Sequence, residues 1–270
     1  MPARLDVLRD GVIRLTPPAE LNDPFEMSPT VSHAATQRAL LGMVDGPWGN
    51  ELARFLASQG ALGAKRGATR LTAAQKREMA RRLERHSPDW QAVFGTIVRR
   101  LQSRVGVLCL SETAGDLLMW AHYADQHRGL VYEFDTAHPA FHPPRDAGIF
   151  LTGLQPVVYR ATRPRGALNK MMNAQRLLVT KGRPWGYERE WRLLRALDSC
   201  DRAVDAPAGR IALFAMPAAA ITAVLLGARA SPATVDQVRS LLASDPRYAH
   251  VRLWPLRLDP TRFGLMSDAP

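Results

Sequence analysis

Three groups of side chains in this sequence could do chemistry: Ser111, the run Trp120-Ala-His122-Tyr123, and Glu188-Arg-Glu190-Trp-Arg192. If the last of these is a strand, its period of two puts Glu188, Glu190, Arg192 and Leu194 on one face. Arg189, Trp191 and Leu193 then share the other face. Two carboxylates and a guanidinium so arranged either form a structural ion-pair row or serve a site. The Trp-His-Tyr run allows the same two readings. It is an aromatic core, in which buried Trp and Tyr need only a polar partner for their N–H and O–H, or it lines a ligand. Asn22-Asp23-Pro24 makes a rigid corner in the turn-rich loop from Thr16 to Phe25. Fixing chain direction and touching a ligand explain that corner equally well.

The elements that must position these residues are legible nearby. Val107 to Leu110 is a short apolar run suited to a buried strand. Thr113 with Asp116 three residues on fits a capping box, so a helix is expected to open there. Leu117, Trp120, Ala121 and Ala124 follow the stripe that faces a core, and Gly129 is the expected stop. Leu130 to Phe134 alternates as a half-buried strand.

Elsewhere, Leu5 to Gly11 reads as a helix end capped by Gly11, followed by a strand at Val12 to Leu15. Helical spacing fills 33–57 and 72–103, with Gly60 to Gly67 between them. Region 32–104 is therefore expected as a helical insertion within a single α+β domain of residues 1–270. Its basic run Lys76-Arg77, Arg81-Arg82 and Arg85 reads as a solvated helix face. Val157 to Arg160, Ile211 to Phe214 and Ala223 to Leu226 are expected strands, and Asn169 to Thr180 a helix. Ser231-Pro opens a helix running to about Ser244. Val251 to Leu258 closes as a strand that Pro255 consigns to an edge or bulge. The sum is an α+β fold around a mixed or antiparallel sheet.

The chain has 270 residues, 46% of them apolar and 23% charged, as expected of a globular protein. No apolar run is long enough to span a bilayer, and the start lacks a signal pattern, which implies a cytoplasmic protein with no membrane partner. Cys109 and Cys200 are too few for a disulfide framework or a zinc cluster, and no metal is expected. Lys and Arg number 36 against 25 Asp and Glu, a formal charge of +11. That excess suits an anionic partner, either nucleic acid or a phosphate-bearing ligand, although the charges are scattered.

Asn22-Asp-Pro-Phe25, Cys109-Leu-Ser111, Met119-Trp-Ala-His-Tyr-Ala124, His127-Arg-Gly129, Lys181 and Trp185-Gly-Tyr-Glu-Arg-Glu-Trp-Arg192 together resemble the DUF2971 family of bacterial proteins. The resemblance covers most of the chain outside the helical insertion. It carries no settled activity, and a toxin or defence setting is an expectation that no residue shows. Family members usually begin with an aromatic and basic strand before the first helix. This sequence opens on Met1-Pro-Ala-Arg-Leu-Asp6 without one.

The motif order is also similar to that of ADP-ribosyltransferases, and this similarity implies an NAD-using transferase or NAD glycohydrolase. It would assign Ser111 to positioning, Trp120 or Tyr123 to nicotinamide stacking, Glu190 to the ribose and Glu188 to the acceptor, which would be a protein or nucleic acid. Arg192 would keep the carboxylate ionised, with His122 and Asn22 also at the cofactor. Two other readings stand beside it. One is a hydrolase using His122, His127 and Glu133, although the two histidines would lie about 140° apart on a helix. The other is a non-enzymatic binding module for nucleic acid or a partner protein.

Overall fold

The structure, a computed structural model, describes residues 5–44, 72–85, 89–142, 153–171, 173–207 and 209–267. Its strands begin with β1 Val12–Arg14, β2 Thr30–Val31, β3 Val105–Ser111, β4 Leu130–Phe134, β5 Gln155–Pro156, β6 Val158–Arg160 and β7 Arg165–Gly166. They continue with β8 Thr180–Gly182, β9 Glu190–Ala196, β10 Arg202–Ala206, β11 Gly209–Ala215, β12 Ile221–Leu226, β13 Arg252–Leu258 and β14 Leu265–Ser267. The α-helices are α1 Asp6–Asp10, α2 His33–Val44, α3 Ala73–Arg85, α4 Trp90–Gln102, α5 Leu117–Tyr123, α6 Leu168–Met171, α7 Ala174–Leu178 and α8 Pro232–Ser244. The architecture is mixed α+β with several small sheets.

Two compact units share the chain. The first takes Met1–Glu20, Arg104–Tyr159 and Arg183–Pro270, and the second takes Leu21–Ser103 and Arg160–Gly182. The second unit therefore holds the expected insertion and also a later segment that no local pattern joined to it. The region expected as helix over 45–57 and the Gly60 to Gly67 break lie outside the described residues.

In the first unit the apolar run Ile221 to Leu226 becomes β12, buried along nearly its whole length. Ala223 and Leu225 pack with Trp120, Ala124 and Leu256 on one side. Val224 and Leu226 join Val7, Leu8, Phe214, Val238 and Tyr248 in the larger core. A strand covered on both faces must be apolar throughout, which is why this run lacks alternation. β12 pairs antiparallel with β4 and parallel with β13, and β14 completes the order β14-β13-β12-β4.

β13 lies inside the sheet order, not at its edge, yet at Pro255 itself it is paired on the β12 side alone. The pairing of β13 with β12 ends at Leu226 opposite Pro255, and its pairing with β14 begins at Leu256 opposite Ser267. Proline sits where one ladder hands over to the next, so its missing N–H removes no interior bond.

Local signals elsewhere form as expected. Gly11 ends α1 with φ 63° and ψ 32°. Ser231 caps α8, its hydroxyl accepting from the Thr234 N–H at 3.1 Å. In the second unit, Asp89 caps α4 and Trp90, Phe94 and Val98 form its buried stripe. The Asp23 carboxylate accepts from the Phe25 N–H at 2.9 Å, an Asx turn that makes the Asn22-Asp-Pro corner rigid. Arg77, Arg81 and Arg85 are exposed along α3, a solvated face.

Asp259 closes the turn between β13 and β14. Its carboxylate accepts from the Thr261 N–H at 2.7 Å, the Thr261 hydroxyl at 2.9 Å and the Arg262 N–H at 2.9 Å. The Thr261 N–H first, then its hydroxyl and the Arg262 N–H, hold this carboxyl below the usual aspartate range. A depressed carboxylate contributes stability that is present above its unfolded pKa and is lost as pH falls through the folded value. The turn is expected to loosen only below about pH 4. Amide shifts of Thr261 and Arg262 that already move within or above the ordinary aspartate range would refute this.

Candidate functional site

The β3–β9 ladder brings Ser111 and the Glu-x-Glu together. The register pairs Ser111 with Glu190, Cys109 with Arg192 and Leu108 with Leu193. Leu108 and Leu193 enter the core, so Ser111, Glu190 and Arg192 occupy the opposite face of the ladder.

The two carboxylates differ in environment. The strand starts at Glu190, because Arg189 adopts φ 44° and breaks the extended chain. Glu188 therefore ends a 3₁₀ turn and does not lie on the strand as expected. Glu190 is only 5% exposed, and Arg192, at 0%, holds it in a forked pair. Arg192 Nε donates to Oε1 at 2.8 Å and Nη2 to Oε2 at 3.1 Å. The ion-pair row expected over Glu188, Glu190 and Arg192 thus contains a forked Glu190–Arg192 pair.

Glu188 is also buried, but it faces another partner. The Tyr123 hydroxyl donates to its Oε1 at 2.7 Å, while the tyrosine itself is 52% exposed. The Ser111 hydroxyl donates to the Glu188 carbonyl at 2.7 Å and accepts from the Thr113 N–H at 3.3 Å. Serine, tyrosine and this glutamate, far apart in sequence, are one hydrogen-bonded group.

Helix α5 supplies the tyrosine. Its cap is Asp116, not Thr113: the Asp116 carboxylate accepts from the Leu118 and Met119 N–H groups at 2.8 and 3.0 Å. The helix ends at Tyr123, and Asp125, Gln126 and His127 follow with φ of 50°, 54° and 68°. The expected glycine stop is replaced by this left-handed run of ordinary residues.

Trp120 is 2% exposed and packs with Ala223, Leu225 and Leu256, and its indole N–H donates to the Ala114 carbonyl at 2.6 Å. The ring packs among apolar core side chains with the His127 ring parallel to it, so the stacking role expected of it is corrected. His122 is exposed and meets Tyr123 edge-on, with centroids 6.3 Å apart. His127 lies beyond the helix, its ring parallel to Trp120. Glu133, the third residue weighed for hydrolysis, accepts from the Thr222 hydroxyl at 2.6 Å. Asn22 is an exposed residue of the second unit.

Sequence reasoning missed two neighbours. Exposed Glu112 accepts from the Trp191 indole at 2.6 Å, and the Glu190 N–H donates to the Tyr159 hydroxyl at 2.8 Å. Glu112 had a signal, since it directly follows Ser111 at the strand end. Tyr159 had none beyond its place in a short strand.

Among the described residues, no group of three His, Cys, Asp or Glu could hold a metal, and no helix is long and apolar enough to cross a membrane. No family model matches the chain, and no curated protein or solved structure matches it.

Proposed function

We propose that the first unit carries a site for a nicotinamide-ribosyl ligand such as NAD, with Glu188 as the carboxylate at the sugar and Tyr123 as the aromatic wall. The observation that carries this reading is the 2.7 Å bond from a half-exposed tyrosine to a buried carboxylate. Cleaving the nicotinamide–ribose bond develops positive charge on the sugar, as in glycoside cleavage. A carboxylate held in a water-poor setting stabilises that charge far better than one in bulk water. Nicotinamide leaves with the bonding electron pair, and water or a nucleophile on an acceptor bonds to the sugar carbon. Ser111 fixes the Glu188 backbone through its carbonyl. Glu190, engaged by Arg192, is a structural residue of the ladder in this reading, not the acid at the ribose. The transferase-like motif order supports the same ligand class.

Glu188→Gln tests it. Glutamine keeps the side chain's shape and an acceptor oxygen for Tyr123, so that bond should survive. NAD cleavage, read as released nicotinamide, should fall by about 100-fold or more. Tyr123→Phe should weaken NAD binding with the fold intact. Cleavage that survives Glu188→Gln would sink the assignment.

One observation favours a second reading. The Glu190–Arg192 pair is buried within the β3–β9 ladder. This suits a non-enzymatic module whose polar cluster only fixes the strands and whose basic surface docks on nucleic acid or a protein. A chain that releases no nicotinamide, and whose melting temperature NAD does not raise, would favour this module.

A further inference from the structure

The distal end of the β13–β14 hairpin presents an aromatic side chain with nothing around it. Phe263 is 104% exposed, while most large apolar residues of the first unit are packed. Single exposed apolar residues are common on surfaces and ask for no explanation by themselves. This one stands on a built turn. Asp259 accepts from the Thr261 N–H, the Thr261 hydroxyl and the Arg262 N–H, and its own N–H donates to the Gly264 carbonyl at 3.0 Å. The ring is therefore displayed from a preorganised tip.

Its neighbours are basic. Arg262 is adjacent and exposed, and exposed Arg257 lies on β13, opposite Met266. Leu258 pairs with Leu265, which packs against the Trp120 core, so Arg257 and Met266 occupy the outer face of the ribbon. Further along β13 the Arg252 guanidinium lies over the Trp254 ring at 5.9 Å. The whole chain carries +11.

We propose that this tip contacts single-stranded nucleic acid, with Phe263 stacked on a base and Arg262 and Arg257 against backbone phosphates. Every base offers a π-face, and an aromatic ring beside arginines matches the base and phosphate of one nucleotide. A lipid surface fits less well. Leu258 and Met266 are exposed on the same hairpin, but they lie on opposite faces of the ribbon and so form no single insertable patch with Phe263. The contact does not rest on the Glu188 site. It is read by oligonucleotide binding, whereas that site is read by NAD cleavage, so each can fail alone.

The test is fluorescence anisotropy of the full chain with short labelled oligo-dT and oligo-U at several salt concentrations. Binding should weaken as salt rises. Phe263→Ala should weaken it by about tenfold, within the range base stacking supplies. Because the ring packs on nothing, the melting temperature should stay the same and a folding defect cannot imitate the result. Arg262→Ala should reduce the slope of log affinity against log salt by about 0.7. The proposal falls if Phe263→Ala binds like the parent chain or if neither oligonucleotide binds at about 0.1 M salt. It also falls if Phe263→Ala loses binding to phosphatidylserine vesicles while oligonucleotide binding is untouched.

Discussion

Arg192→Ala is expected to destabilise the first unit by about 3–5 kcal/mol, the cost of breaking a buried ion pair by removing one of its members. The arginine is wholly buried, and both oxygens of Glu190 accept from it. Removing the guanidinium takes both of these hydrogen bonds from Glu190, a carboxylate only 5% exposed. The companion experiment decides how much of that loss is the pair's net worth. Replacing both residues by apolar side chains of similar size, Glu190→Leu with Arg192→Met, should recover most of the stability, because burying two charges nearly offsets their attraction. Thermal or denaturant unfolding of the two single variants and the double variant completes the cycle. A single variant that melts within a degree or two of the parent would show that the pair is solvated in solution.

The same cycle bears on function through the backbone break at Arg189. A continuous strand would point Glu188 and Glu190 the same way and let both share Arg192. The positive φ at Arg189 ends the strand between them, so that Glu190 lies in the ladder beside Arg192 while the Glu188 carboxylate accepts from Tyr123 of the helix. In the proposed site Glu188 is thereby hydrogen-bonded to a side chain that is half exposed. The double apolar variant should therefore fold yet keep Glu188 and Tyr123 in place. NAD cleavage by that variant would confirm that Glu190 contributes no chemistry.

Where elements carry their own signals, the sequence was sufficient. Ser231-Pro fixes the start of α8, Gly11 ends α1, and the apolar runs of β3, β4 and β12 form strands where alternation and burial require them. What escaped is non-local or runs against residue preference. Nothing near Arg189 or Gln126 announces left-handed backbone, since neither is glycine, and Gly129 offered a conventional stop that the chain does not use. The proline of β13 suggested an edge because the handover between two ladders is a property of pairing, not of the strand. The site was half legible. Residue types and their order picked out Ser111, Tyr123 and both glutamates, but only register sets Ser111 opposite Glu190, and only tertiary packing buries Trp120 and aims Tyr123 at Glu188.

Gly227→Ala should be about as disruptive as losing the arginine, although no charge is involved. A Cβ at Gly227 would lie 2.1 Å from the His127 carbonyl oxygen and 2.6 Å from its carbon, with the Gly129 oxygen at 3.2 Å. These are backbone atoms, so no side chain can swing away to make room. The carbonyl cannot move freely either, because it accepts from the Arg229 N–H at 2.9 Å. The Gly227 N–H also donates to the Gly129 oxygen at 2.9 Å, which ties the two turns together. Asp125, Gln126 and His127 already hold left-handed backbone that costs each about 1–2 kcal/mol. That strain persists because the Gly227 turn and the Trp120 packing hold it in place. A methyl group at 227 pushes the turns apart and releases the run, at a cost of about 3 kcal/mol or more. Gly42→Ala is the control: no atom lies within 4 Å of its Cβ, and it sits within helix α2. There the same substitution should stabilise by about 0.5–1 kcal/mol through helix propensity. Melting temperatures that move in opposite directions for the two variants would establish that the turn at 125–127 is held by close backbone contact. Equal, small shifts would show that the two turns give way easily in solution.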